Sequence, residues 1–273
     1  MHSENTTGES STPTFDRYAG DYEGVLNKAL SASGETREYY ARARVLWLRA
    51  RLNELGVKPC SVLDYGCGTG GSVPYLLEIL QPGRILGVDI SPESIGQARK
   101  DHPEKGVEFA VFGDYSARSE FDLAFCNGVF HHIAPAERPA ALRYVYDSLQ
   151  PGGIFAFWEN NPWNPATRYI MRQCEFDREA ITISLARAKA LLGAATFQFL
   201  HSSSCFYFPR WLKGLRPLEP TLASLHLGGQ YLVLGRKSQQ SVVRSSRPEG
   251  WQLPGRAELV ASTASAILRP CPP

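Results

Sequence analysis

The chain has 273 residues, enough for one large α/β domain or one domain with an appendage. Its 29 basic and 27 acidic residues leave a formal charge of +2, which removes any electrostatic case for a nucleic-acid or strongly acidic partner. No run approaches the roughly 18 to 20 unbroken apolar residues that cross a bilayer, and the six cysteines form no CxxC pair, so a reducing cytoplasm is the expected setting.

Residues 1–14 are polar, lack a signal-peptide core and read as a disordered tail. Residues 15–57 are aromatic and helical in pattern, with Tyr39, Tyr40, Arg42, Arg44, Trp47 and Leu48 crowded into about three turns. Core strands are expected at Ser61 to Tyr65, Ile85 to Ile90, Glu108 to Phe112, Leu123 to Asn127 and Ile154 to Glu159, separated by helix-patterned stretches. Such alternation implies an α/β, doubly wound and mainly parallel sheet with ligands at the C-terminal ends of the strands. After Trp158 the pattern changes. Helices are expected at Ala166 to Cys174 and Ser184 to Leu192, then two strands at Thr196 to Phe208 and Gly229 to Lys237, with an insert at 209–220 longer than a hairpin loop. Residues 238–273 have little periodicity and read as mostly disordered, with a short helix at Arg256 to Leu268. The folded domain is therefore bounded at 58–237.

Within the first strand and its turn, Ser61-Val-Leu-Asp64-Tyr-Gly66-Cys67-Gly68-Thr-Gly70-Gly71, an apolar strand ends in an acid and then in closely spaced glycines. A side chain at Gly66 or Gly68 would stand between the backbone and a ligand packed on the turn. Asp89 ends the next strand about twenty residues past the glycines, where a carboxylate that binds both ribose hydroxyls is expected. Dehydrogenases share this layout, but their glycines are spaced G-x-G-x-x-G. Here Gly66, Gly68 and Gly70 alternate behind Asp64, an acid that would repel a pyrophosphate and suits a cationic, amine-bearing ligand.

Asp64-Tyr-Gly66-Cys67-Gly68-Thr-Gly70 resembles the first motif, D-x-G-x-G-x-G, of the class I S-adenosylmethionine-dependent methyltransferases. Further stretches match in order: Val88-Asp89-Ile90-Ser91 resembles the ribose motif, Phe112-Gly113-Asp114-Tyr115 the adenine-contacting turn, and Phe121 to Asn127 the fourth strand. Leu149 to Phe157 resembles the turn and strand that follow. The resemblance covers about Pro59 to Glu159 strongly. It implies a Rossmann-like, seven-stranded methyltransferase fold with an N-terminal helical lid, and S-adenosylmethionine as cofactor. By resemblance Asp89 would hold the ribose, Asp64, Gly66, Cys67 and Gly68 the methionine end, and Ile90, Gly113, Asp114 and Tyr115 the adenine, with Asn127 beside them; Cys67, inside the turn, also reads as a small packing residue. Phe15-Asp-Arg-Tyr18-Ala-Gly-Asp-Tyr22 resembles the start of such lids, which implies that Tyr18 or Tyr22 contacts the methionine end and that Arg44 pairs with its carboxylate.

The methyl carbon of a sulfonium is already electrophilic, so positioning supplies much of the rate and a base is needed only if the acceptor must lose a proton. His131 and His132, just past the fourth strand, are the candidate bases, since imidazole titrates near 6.5. Glu159, ending the fifth strand, is a further candidate base or a cap for the next turn. Aromatic and basic residues after it, Trp163, Arg168, Tyr169, Tyr207, Arg210 and Trp211, are candidates for an acceptor pocket. A metal-dependent site of the catechol type needs clustered acids near the fourth and fifth strands, and only Glu159 is there, so no metal is expected. The expected function is methyl transfer to a small-molecule acceptor, at oxygen ahead of nitrogen or carbon, by a monomer or homodimer with no nucleic-acid or membrane partner. The competing expectation is a catalytically silent cofactor-binding or scaffold protein.

Overall fold

The computed structural model describes residues 30–239 apart from 117, 175, 176, 178 and 179. Tyr18, Tyr22, the tail at 1–14, residues 15–29 of the expected lid and nearly all of 238–273 lie outside the described residues.

Helix α1 (Arg37–Glu54) is capped by Thr36, whose side chain accepts the amide of Tyr39. Ala41, Arg44, Val45, Leu48 and Leu52 recur at helical spacing and form its buried face. Strand β1 (Ser61–Tyr65) leads through the glycine turn into a short helix α2 (Val73–Tyr75), extended by a π-helical turn at Leu76–Leu80. Next come β2 (Arg84–Asp89), α3 (Pro92–Asp101), β3 (Val107–Val111), β4 (Phe121–Asn127), α4 (Arg138–Ser148) and β5 (Leu149–Asn160). The chain continues with α5 (Pro165–Gln173), α6 (Leu185–Ala194), β6 (Gln198–Cys205), a 3-10 segment at Arg210–Leu218, α7 (Glu219–Leu222) and β7 (Gln230–Arg236).

The seven strands form one sheet in the order β3-β2-β1-β4-β5-β7-β6. Strands β1 to β5 pair in parallel, and β7 runs antiparallel between β5 and β6. This is the doubly wound, mainly parallel architecture expected above. Strand alternation sends Val62, Ile85, Leu123, Ile154 and Leu232 to one face, where they meet Val45, Leu48 and Leu52 of α1 and Ile95 of α3. Leu63, Leu86, Ala124, Phe155 and Val233 face the other way, against Ala141, Leu142 and Val145 of α4 and Leu192 of α6. Both faces are therefore dry, and the strand order reverses between β1 and β4. That switch point opens a crevice at the strands' C-terminal ends, into which Asp89, Asn127 and the glycine turn project.

Candidate active site

The glycine turn is fixed from below by β2: the amides of Gly66 and Cys67 both donate to the carbonyl of Val88, at 2.8 and 3.1 Å. Gly66 has φ +72°, and a Cβ there would run into the γ-methyls of Val129. Gly68, at φ +55°, faces open space, so its missing side chain leaves room for a ligand. Asp89 ties the turn to the end of β2, its Oδ2 accepting the Gly68 amide at 2.8 Å and its Oδ1 the Ser91 amide at 3.0 Å. The same carboxylate lines the crevice, where a ligand hydroxyl would meet it. Together with Ile90, Phe112, Val129 and Ile133, these residues line a cavity of about 170 Å³.

A larger cavity of about 400 Å³ adjoins it, within the size range of small-ligand sites. Its walls are Arg37, Tyr40 and Arg44 from α1, Tyr169 and Met171 from α5, and Phe206, Tyr207, Phe208 and Trp211 after β6. Asn127, Gly128 and His132 line both cavities and so mark where they meet. The aromatic wall is held by a residue not anticipated from the sequence. The buried carboxylate of Glu219 accepts the amides of Phe206, Tyr207 and Phe208 at 3.0, 3.1 and 3.2 Å, holding Phe206 at φ +63°. Trp163 is 75% exposed, and Arg210 turns to the Gly34 carbonyl; neither Trp163, Arg168 nor Arg210 lines the cavity, whereas Tyr169, Tyr207 and Trp211 do.

Two buried oxygens have no hydrogen-bond partner among the described residues, Oδ2 of Asp64 on β1 and Oδ1 of Asn127, which lines both cavities. Burial, and then the charge of Asp89, push the Asp64 carboxyl up to about 7, against the pull of Arg44. The Asn127 oxygen is an acceptor, and so is that of Asp64 once ionised. Arg44 itself donates from Nη1 to Gln230 at 3.0 Å and lines the larger cavity.

Several sequence expectations are corrected. Tyr115 does not reach the smaller cavity: its hydroxyl donates to Glu120 at 2.7 Å and accepts from Arg84 at 2.7 Å, and Arg84 opens β2 at the opposite end of the sheet from the crevice. Gly113 and Asp114 sit in the exposed turn after β3, and Phe112 is the residue of that motif that lines the cavity. Cys67 points into the core beside Gly87 and Phe109. Glu159 is buried behind the pocket, where Oε1 accepts the amides of Phe130 and His131 at 2.9 and 3.3 Å and Oε2 lies 2.6 Å from Nδ1 of His131. That placement removes it as a base for the acceptor. His131 is also unsuited to accept a proton. Burial alone would strip its charge, but Glu159 and Asp177 outweigh burial and hold its pKa up to about 10, so the ring is already cationic at neutral pH. His132, by contrast, lines both cavities.

Asp177 was not anticipated. It follows α5 and brings Oδ1 to 3.4 Å from Nε2 of His131 and 3.3 Å from Nε2 of His132. The two histidines and this acid form a cluster of metal-ligand type where no metal was expected.

Residues 63–155 match the family model described as a methyltransferase domain. Over 157 residues the chain is 29% identical to trans-aconitate 2-methyltransferase of Azoarcus sp., covering 58% of this chain and 59% of the relative. It is 28% identical over 138 residues to malonyl-[acyl-carrier protein] O-methyltransferase of Acetivibrio thermocellus, covering 49% and 48%. The chain thus spans about half the length of the curated relatives it matches. Among solved structures it resembles a TehB-like SAM-dependent methyltransferase from Corynebacterium glutamicum, with TM-score 0.54 and 17% identity over 81% of this chain and 99% of that one. Residues 63–155 are a methyltransferase domain, and the sheet that carries them has the class I S-adenosylmethionine-dependent fold. No described helix is long and apolar enough to cross a membrane.

Proposed function

We propose that this chain, a class I methyltransferase by fold and by its matched domain, transfers a methyl group from S-adenosylmethionine to an oxygen atom of a small organic acceptor. The observation that carries the reading is the meeting of the cavity lined by Asp89 and the glycine turn with an aromatic-walled one at Asn127, Gly128 and His132. A donor seated in the first would present its methyl to an acceptor in the second.

The residues fit the cofactor. Asp89 lines the cavity where the ribose hydroxyls would lie, and Ile90 and Phe112 would flank the base. The unpartnered oxygens of Asp64 and Asn127 suit the ammonium of the methionine end, which would also keep Asp64 ionised. Arg44 suits its carboxylate, and α1 serves as the part of the lid that walls the acceptor side. When bound, the cofactor supplies an electrophilic methyl carbon. The protein holds an acceptor oxygen in line with the S–CH3 bond and excludes water, an arrangement that effective molarities value at up to about 7 to 11 kcal/mol. His132 faces the acceptor's reacting atom, and Glu159 and His131 act behind it as a support. Similarity to the malonyl-[acyl-carrier protein] O-methyltransferase favours oxygen over nitrogen.

The test is incubation of the full chain with methyl-labelled S-adenosylmethionine and a panel of carboxylic acids, phenols and alcohols, with amines as the counter-panel. Labelled esters or ethers, formed with equimolar S-adenosylhomocysteine, are the expected products. Label in amines alone would relocate the acceptor atom. Cofactor binding with no turnover on any acceptor would favour the silent-binder reading.

A further inference from the structure

The contacts of Asp177 with the two histidines are long for charge-assisted hydrogen bonds. Its Oδ1 is buried and has no hydrogen-bond partner among the described residues, yet it lies 3.3 and 3.4 Å from imidazole nitrogens of His132 and His131. All the candidate ligand atoms of the cluster fall within 4.8 Å of one another. Tetrahedral ligands at the roughly 2.0 to 2.1 Å bond lengths of zinc stand about 3.3 to 3.4 Å apart, so the two separations from Asp177 match edges of a coordination shell. The second layer is also in place. Glu159 takes Nδ1 of His131 at 2.6 Å and is itself fixed by the amides of Phe130 and His131, which leaves Nε2 as the outward nitrogen, whose proton the ion would displace on binding. A carboxylate on the far nitrogen is the arrangement that orients metal-binding histidines. All three cluster residues line the larger cavity, so a fourth coordination position would open to the acceptor.

We propose that His131, His132 and Asp177 bind a divalent transition-metal ion of the zinc class on the acceptor side of the cavity junction. Binding of the ion stands on this geometry; its use in catalysis rests on the methyl transfer proposed above. An acceptor hydroxyl coordinated at the open position releases its proton to solvent, since coordination lowers the pKa of a bound oxygen. The oxygen lone pair then forms the O–CH3 bond while the S–CH3 electron pair returns to sulfur, giving the methylated acceptor and S-adenosylhomocysteine. His132 would thus meet the reacting atom through the ion, and no imidazole needs to accept a proton.

The experiment uses the full chain after chelator treatment. Zinc is titrated in competition with a chromogenic chelator, and cobalt(II) by its visible spectrum, with S-adenosylhomocysteine binding measured on each sample. Saturable binding of a single ion is expected, with a low-coordinate cobalt spectrum. His132→Gln and Asp177→Asn should each abolish it, and Glu159→Gln should weaken it by roughly 10- to 100-fold, all with S-adenosylhomocysteine affinity retained. No saturable zinc or cobalt binding by the unmodified chain overturns the metal site, whatever the variants do. Ion binding unchanged in both His132→Gln and Asp177→Asn overturns it equally. Nucleoside binding without the ion leaves the methyl-transfer reading standing, whereas the ion without nucleoside binding or turnover removes that reading and keeps the site.

Discussion

Replacing Gly66 and Gly68 by alanine in turn separates packing from ligand space. At Gly66 the substitution has two costs. The φ of +72° is left-handed, which for a residue with a Cβ costs about 1 to 2 kcal/mol. The added carbon would also stand 2.9 Å from Cγ1 of Val129 and closer still to Cγ2, and overpacking of this kind costs about 1 to 3 kcal/mol. Gly66→Ala should therefore destabilise the fold by about 2 to 5 kcal/mol. At Gly68 the φ is +55° and nothing lies within 4 Å of the new carbon, so only the backbone term of about 1 to 2 kcal/mol remains. The methyl of Gly68→Ala would instead occupy the smaller cavity and weaken S-adenosylhomocysteine. Urea unfolding measures the first effect and calorimetry the second. The reasoning fails if Gly66→Ala is no more destabilising than Gly68→Ala, or if Gly68→Ala binds the nucleoside as well as the native chain does.

Further outcomes follow from the carboxylates and histidines. In the ligand-free protein Asp64 keeps its proton up to about 7, whereas an unfolded chain releases it near 4. The native state thus holds more protons between those values, and stability falls as pH rises from about 4 to about 7, by up to ~4 kcal/mol. Asp64→Asn should flatten that decline in chemical unfolding at a series of pH values; an unchanged slope would contradict the assignment. Asp89→Ala removes a carboxylate that both braces Gly68 and faces the ribose position, and should weaken S-adenosylmethionine by about 2 to 4 kcal/mol in calorimetry; equal affinity would refute the ribose role. His132→Ala should lower turnover with nucleoside affinity retained, and full turnover would leave catalysis to positioning alone. Glu219→Ala frees three amides behind the aromatic wall, so KM for the acceptor should rise more than KM for the cofactor; a change confined to the cofactor would show that the wall serves another purpose.

The parts of the site that could be read in the sequence are those made by neighbours along the chain. Asp64, the glycines and Asp89 sit on two adjacent strands with short links, so their spacing encodes their geometry. Strand boundaries were legible to within a residue or two where both sheet faces are dry, as at β1 and β7, but β5 begins earlier than expected, at Leu149. The pairing of Glu159 with His131 needs the lateral order of the sheet, because only β4 lying beside β5, with Asn127 opposite Trp158, brings them together. Asp177 and Glu219 were invisible for the same reason. Each reaches the site from a connecting segment whose path is set by long-range packing, with no periodic pattern to betray it. Tyr115 misled because a turn motif fixes where the backbone runs and not which way a side chain points. Arg84 and Glu120 drew its hydroxyl to the opposite end of the sheet.

Calorimetric titration of the full chain with S-adenosylhomocysteine, alongside NAD⁺, tests the central claim most directly. The account predicts micromolar binding of the first and none of the second, with the affinity for the first reduced in Asp89→Ala. Absence of S-adenosylhomocysteine binding, or preference for the dinucleotide, would contradict it.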